Sequence, residues 1–264
     1  MTDLAKYGPW AVIAGGSEGV GAEFADQLAN DGFNLLLIAR KPGPLEETAA
    51  AVRTKHGVEV RTLSADLTDA ASIQQITEAT ADVEVGLFIY NAGANSYGGA
   101  FLKGELDGFQ GVIDLNITTM LALTHHYGRA MKERGRGGII LIGSLAGYVG
   151  TTSESIYGGV KAFSRVFAEG LWAEMREYGV DVLEFVLGLT RTPAMVRAGL
   201  NFDVPGVAVT EPAEAAQEAL AAISDGPVQV ISTGAKVVEM RSTSDRARLV
   251  LGTEKVMKQM VPHK

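Results

Sequence analysis

Cysteine is absent from the 264 residues. That excludes disulfides, thiolate catalysis and Cys-ligated zinc. Positive charge is in short supply: 23 Lys and Arg against 31 Asp and Glu give a formal charge of -8 and a pI near 5.1. A nucleic-acid binder carries a basic patch and a high pI, and neither is visible. Long apolar runs are missing too. No stretch reaches the roughly 18 apolar residues of a membrane helix, and Met1 to Pro9 lacks the apolar h-region of a signal peptide. The expectations are a cytoplasmic protein, no nucleic acid, no integral membrane segment and no metal.

What the chain has in excess is glycine, 32 residues, about 12% against a usual 7% or so. No G-X-Y period accompanies it, so the excess points to tight turns or close approach to a ligand. The 47% hydrophobic and 20% charged residues suit a folded core rather than a disordered chain. Short continuous apolar runs alternate with helical stretches. The runs are 10–14, 33–39, 58–64, 85–90, 138–142, 180–187 and 228–231. Seven such runs separated mostly by helices predict an α/β fold, a doubly wound (Rossmann) seven-stranded parallel sheet with helices on both faces. No linker divides the chain. The reading is one domain over 1–236, containing a long loop at 188–210, followed by a tail at 237–264 with helical spacing.

Chemistry first shows in Gly15-Gly16-Ser17-Glu18-Gly19-Val20-Gly21, between the first apolar run and the first helix. Glycine lets a backbone approach a pyrophosphate closely, and the helix N-terminus offers free N–H groups. At the end of the second run, an acidic residue would accept from the ribose 2′-OH of NAD. Here the position holds Ala39, then Arg40 and Lys41. A guanidinium suits a 2′-phosphate, so NADP(H) is expected over NAD(H), with Glu18 as a counter-argument.

The G-x-x-x-G-x-G spacing resembles the short-chain dehydrogenase/reductase family, and further motifs follow in order. Asn91-Ala92-Gly93 comes after the fourth run, Asn116 lies in a long helical stretch, Ser144 follows the fifth run, and Tyr157-Gly-Gly-Val-Lys161 matches Y-x-x-x-K. Gly188 and Thr192 keep the family's G-x-x-x-T spacing after the sixth run. Ala14, Tyr90 and Leu187 depart from the commoner Thr, Asn and Pro. The chain loosely resembles the steroid and long-chain ketoacyl reductase branch. The resemblance implies a catalytic set of Asn116, Ser144, Tyr157 and Lys161. Tyr157 serves as acid/base, Ser144 orients the substrate oxygen, Lys161 lowers the phenol pKa and holds the nicotinamide ribose, and Asn116 anchors a water. Tyr157 and Lys161, four residues apart, share a helix face. The implied cofactor residues are Gly15, Ser17, Glu18, Gly19, Val20 and Gly21, then Arg40, Lys41, Asp66 and Leu67. Asn91, Ala92, Gly93, Tyr157, Lys161, Gly188, Thr190 and Thr192 complete them. Asp66 has a second reading, as a cap for Thr68 and Asp69.

Loops after the fourth, fifth and sixth runs should cover the site. They supply Tyr97, Leu145, Tyr148 and Met195 as expected substrate contacts, a mostly apolar set that suits a hydrophobic ketone or alcohol. Arg191 and Arg197 read either as contacts to an anionic group or as solvated charges. His125 and His126 should point away from the site. The tail reads as an amphipathic helix against the body, a second subunit or, less simply, a membrane surface. The functional expectation is an NADPH-dependent oxidoreductase interconverting a ketone or aldehyde and an alcohol. The alternative is a non-catalytic NADP-binding sensor or scaffold, against which the Ser-Tyr-Lys set argues. The family commonly pairs through its two long helices, which implies a homodimer or homotetramer. Small residues (Ala162, Ala168, Gly170, Ala173) in the second of them allow close approach.

Overall fold

Strands covered on both faces need apolar side chains on both, and β1 (Trp10–Ala14) and β4 (Val85–Tyr90) are buried at every position. They are the centre of a seven-stranded parallel sheet in the computed structural model, which describes residues 1–260. β2 (Asn34–Ala39) and β3 (Val60–Ser64) lie outside β1. β5 (Gly137–Ser144), β6 (Val180–Leu187) and β9 (Val228–Val230) extend the sheet beyond β4. The strand order reverses between β1 and β4, so a crevice opens there beyond the carboxyl ends of the strands.

Helices cover both faces. After a short α1 (Leu4–Tyr7), α2 (Gly19–Asn30), α3 (Pro42–His56) and α9 (Pro212–Ala221) bury Phe24, Leu28, Leu45, Ala49 and Ala216 against one face. On the other lie α4 (Ala71–Ala79), α5 (Leu106–Ile113), α6 (Thr119–Arg134) and α7 (Ser155–Met175), which bury Ile76, Met120, Leu123, Tyr127 and Ala168. The doubly wound fold expected from the alternating runs is therefore the observed one.

Three segments differ from the sequence reading in detail. The stretch 106–134 is one rod, but Asp114–Thr118 forms a wide π-helical turn between α5 and α6. The segment 188–210 is not an open loop. β7 (Leu189–Thr190) pairs in parallel with β8 (Val209–Thr210), and α8 (Pro193–Arg197) lies between them. The tail holds two helices, α10 (Ala235–Arg241) and α11 (Arg246–Met260), and α10 begins before the boundary drawn at 236. Residues 261–264 of that tail lie outside the described residues.

The glycine turn shows why the sequence needs its glycines. Gly15 has φ +88° and Gly19 φ +57°, conformations that side chains resist. Gly21 is different. A Cβ there would collide with the Gly15 carbonyl oxygen, so its absence lets α2 pack onto the turn. Overpacking costs about 1–3 kcal/mol or more. Gly21→Ala is therefore expected to lower the melting temperature by roughly 3–10 °C, at about 2–4 °C per kcal/mol for a chain of this size. Calorimetry checks this, and an unchanged melting temperature would mean the contact relaxes freely.

Candidate active site

One cleft of about 1600 Å³ opens at the strand-order reversal and runs from the glycine turn to the tail. Its floor holds Gly15, Ser17, Glu18, Gly19 and Val20. Arg40, Lys41, Asp66 and Leu67 form one end, Asn91, Ala92 and Gly93 the middle, and Ser144, Tyr157 and Lys161 the far wall. Gly188, Thr190, Thr192 and Met195 approach from the β7–β8 segment, and Leu145 from the turn after β5.

Gly21 and Asn116 stand behind the cleft wall rather than on it, and each has a physical reason. Gly21 is the helix contact described above. Asn116 is buried in the π turn, where its Nδ2 donates to Val112 O at 2.9 Å and to Ala94 O at 3.2 Å. The turn is buttressed by Tyr90, whose hydroxyl donates to Leu115 O at 2.6 Å. The Asn116 Oδ1 is buried without a partner among the described residues. It and Lys161 Nζ both face Gly93: a Cβ on that glycine would stand 2.7 Å from Nζ and 2.8 Å from Oδ1.

Two expected substrate contacts lie elsewhere. Tyr97 packs edge-on against Phe109, with ring centroids 5.0 Å apart, and its hydroxyl accepts from Glu105 N at 2.9 Å. Gly104 and Gly108 leave room for it there. Tyr148 turns outward, with the Arg165 guanidinium 4.0 Å from its ring centroid. Neither lines the cleft. Apolar packing and a cation–π contact satisfied these rings better than the cavity wall would.

The wall that the sequence reading did not assign comes from the tail. Leu249, Gly252, Val256, Met257 and Met260 on α11, with Met240 on α10, line the same cleft as Tyr157. Their spacing (i, i+3, i+7, i+8, i+11) is one helix face, a signal present in the sequence but without a partner surface there. Asn201 N donates to Met260 O at 2.8 Å, and Arg246 Nη2 to Tyr148 O at 2.8 Å, which fastens the tail to the body. Glu154, at the start of α7, was also missed. It lines the cleft and its charge disfavours ionisation of Tyr157.

The electrostatics sort the charged residues. Burial holds the Tyr157 phenol up at about 12, against a downward pull from the Ser144 hydroxyl. The ammonium of Lys161 sits 5.8 Å from the ring centroid and donates to Ile142 O at 2.9 Å. The lowering of the phenol expected from Lys161 is not found in this arrangement, where only the Ser144 hydroxyl pulls it down. A phenol protonated throughout the neutral range is a proton donor. Ser144 Oγ accepts from Ala146 N at 3.1 Å, which fixes its direction at the end of β5.

Glu18 is paired by Arg197 through two bonds, 2.8 and 2.5 Å, which lowers its pKa. Arg191 pairs with Glu211 at 3.0 Å. Asp66 accepts from Thr68 N at 3.0 Å and Thr68 Oγ1 at 2.8 Å, so it caps locally while lining the cleft. His125 and His126 are exposed on α6 and do not line the cleft. No cluster of His, Cys, Asp and Glu fit for a metal occurs among the described residues, and no helix there is long and apolar enough to cross a membrane.

The short chain dehydrogenase family model matches residues 9–201. A 7beta-hydroxysteroid dehydrogenase of Clostridium sardiniense is 34% identical over 192 residues, 73% of either chain. A very-long-chain 3-oxoacyl-CoA reductase of Neurospora crassa is 34% identical over 201 residues, 74% of this chain and 60% of the relative. The structure of a short-chain dehydrogenase from Sphingobium yanoikuyae in complex with NADPH superposes with a TM-score of 0.78 and 30% identity. That superposition covers 97% of this chain and 98% of the other, so the tail is included. Sequence motifs, sheet order and relatives thus converge, and the chain belongs to the short-chain dehydrogenase/reductase family, in its steroid and long-chain ketoacyl reductase branch.

Proposed function

We propose that this oxidoreductase is an NADPH-dependent reductase of bulky, mostly apolar ketones, reversible as an alcohol dehydrogenase. The observation that carries the reading is the continuity of the cleft. A single cavity joins the glycine turn and Arg40 to Tyr157 and then to an apolar wall of methionines and branched side chains. The residues fit a dinucleotide: glycines at 15 and 19 leave the backbone open, Asn91 Nδ2 holds Gly15 O at 2.8 Å, and Gly93 leaves space beside Lys161 Nζ. Ser17, Val20, Gly188, Thr190 and Thr192 border the same space. A bound nicotinamide supplies the hydride. The protein's part is to seat the carbonyl against Ser144, donate the Tyr157 proton to its oxygen, and exclude water with the tail.

Met240, Met257 and Met260 are adaptable side chains, suited to a large substrate of irregular outline. The steroid and acyl chain in the relatives' names are of that kind. A panel of steroid ketones, 3-ketoacyl esters and small diketones, followed by NADPH fluorescence, tests the reading. Turnover is expected with the bulky ketones. Binding of NADPH without turnover of any of them would favour a sensor or scaffold instead.

The outer face of α7 supports assembly as a homo-oligomer. Phe163 is 40% and Val166 61% exposed, and Phe163 stacks on Phe167 at 6.1 Å. These are apolar side chains on a helix that an isolated subunit leaves wet. Light scattering at micromolar concentration should give a multiple of 27.8 kDa, a dimer or tetramer. A mass of one chain would overturn the assignment.

A further inference from the structure

The side chains of β6 alternate between the two faces of the sheet. Leu183 and Phe185 join the core under α2 and α9, while Val180 and Val182 join the core under α7. Glu184 falls on the α7 side, where an apolar residue would be expected. It is only 1% exposed, and neither carboxylate oxygen has a hydrogen-bond partner among the described residues. Such a group is costly unless it acts on a neighbouring charge. Room has been left for it in β5. A Cβ on Gly143 would lie 2.5 Å from Glu184 Oε1. Gly143 separates Ile142, whose carbonyl takes the Lys161 ammonium, from Ser144.

We propose that Glu184 is a positioning residue for Lys161, the buried counter-charge that keeps its ammonium protonated at the far wall of the cleft. Lys161 is 7% exposed, and its only hydrogen bond among the described residues goes to the neutral Ile142 carbonyl. Burial alone drives an ammonium toward its neutral form. It pulls Lys161 down to about 8, and the group that opposes this is Glu184. Burial in turn pushes Glu184 up to about 7. Lys161, the neighbouring Ser164 hydroxyl and Arg165 draw its proton away and Glu169 holds it on, all four from α7, while β5 faces it with Gly143. Without the carboxylate, Lys161 would lose its charge within the neutral range. It would then no longer donate to a cofactor ribose. The argument rests on the reading of Lys161 as a cofactor residue, so one arm of the test does not depend on that reading.

The first arm is the dissociation constant of NADPH by fluorescence titration between pH 7 and 9.5. Affinity should fall as Lys161 deprotonates. In Glu184→Gln the fall should come at least about one pH unit earlier, the lower end of what a nearby opposite charge does. Glu184→Asp, which keeps a carboxylate, should restore much of it. A fall at the same pH in wild type and in folded Glu184→Gln overturns the proposal. The second arm is thermal stability in a double-mutant cycle with Lys161→Met, which reads the pair without cofactor or substrate. Glu184→Gln should cost stability beside Lys161 and little or nothing beside Met. If Glu184→Gln alone does not fold, the double variant should, since both buried charges have gone. Equal cost in both backgrounds, or a double variant that also fails to fold, would make Glu184 structural or a partner of Arg165. A coupled pair with no pH effect on NADPH would instead show that the cofactor role of Lys161 is wrong.

Discussion

Tyr157→Phe lowers ketone turnover by about 10²–10⁴-fold, the usual contribution of a positioned general acid, and leaves NADPH binding nearly intact. The ring stays and only the hydroxyl goes, so the packing of α7 on the sheet is unaffected. The direction follows from the phenol's environment. Burial holds it at about 12, so at neutral pH it carries its proton and can give it to a carbonyl oxygen seated at Ser144. The measurement is single-turnover reduction under conditions where chemistry limits the rate, with NADPH affinity measured alongside. Retention of more than a tenth of wild-type turnover would mean that another group donates the proton. Among the residues of the cleft, Glu154 would then be the first to test, since burial raises its pKa as well.

Arg40→Ala is expected to raise the Michaelis constant for NADPH by roughly 10- to 150-fold and to leave that for NADH almost unchanged. A charge-assisted hydrogen bond contributes about 1.5–3 kcal/mol, which sets the range. Arg40 is exposed at the end of β2. Its carbonyl is held by the Ser64 hydroxyl at 3.1 Å, and no carboxylate forms a salt bridge with its guanidinium among the described residues. The fork is thus available to a 2′-phosphate. The sequence offered Glu18 as an argument against this cofactor. That argument weakens once Arg197 is seen to cover the Glu18 carboxylate on both oxygens. Steady-state kinetics with the two cofactors decide the matter. Equal losses with both would make Arg40 structural, and a wild-type preference for NADH would overturn the cofactor assignment without touching Tyr157.

The sheet, its two helical layers and the position of the crevice were legible in the sequence because they depend on local signals. A strand buried on both faces must be continuously apolar, as in Trp10–Ala14 and Val85–Tyr90, and the helix spacing between such runs leaves only a parallel, doubly wound arrangement. The glycine turn and Tyr157 with Lys161 were legible for the same reason, since the spacing that gives them their chemistry lies within a few residues. Tertiary structure decided the contacts between segments far apart in the chain. Tyr97 and Tyr148 read as pocket residues by their loops, yet their rings found Phe109 and Arg165, partners that no spacing reveals. The face of α11 was visible as a stripe, but not that it lines the cleft. Glu18 was a bare charge until Arg197, in a segment more than 170 residues away, folded onto it. Glu184 was one of two acidic residues, with Asp181, in an otherwise apolar strand. Its alternation gave the face, and only the packing of α7 over β5 and β6 set Gly143 against it and brought it within the electrostatic reach of Lys161, because electrostatics in a buried site depend on distance in space and not along the chain.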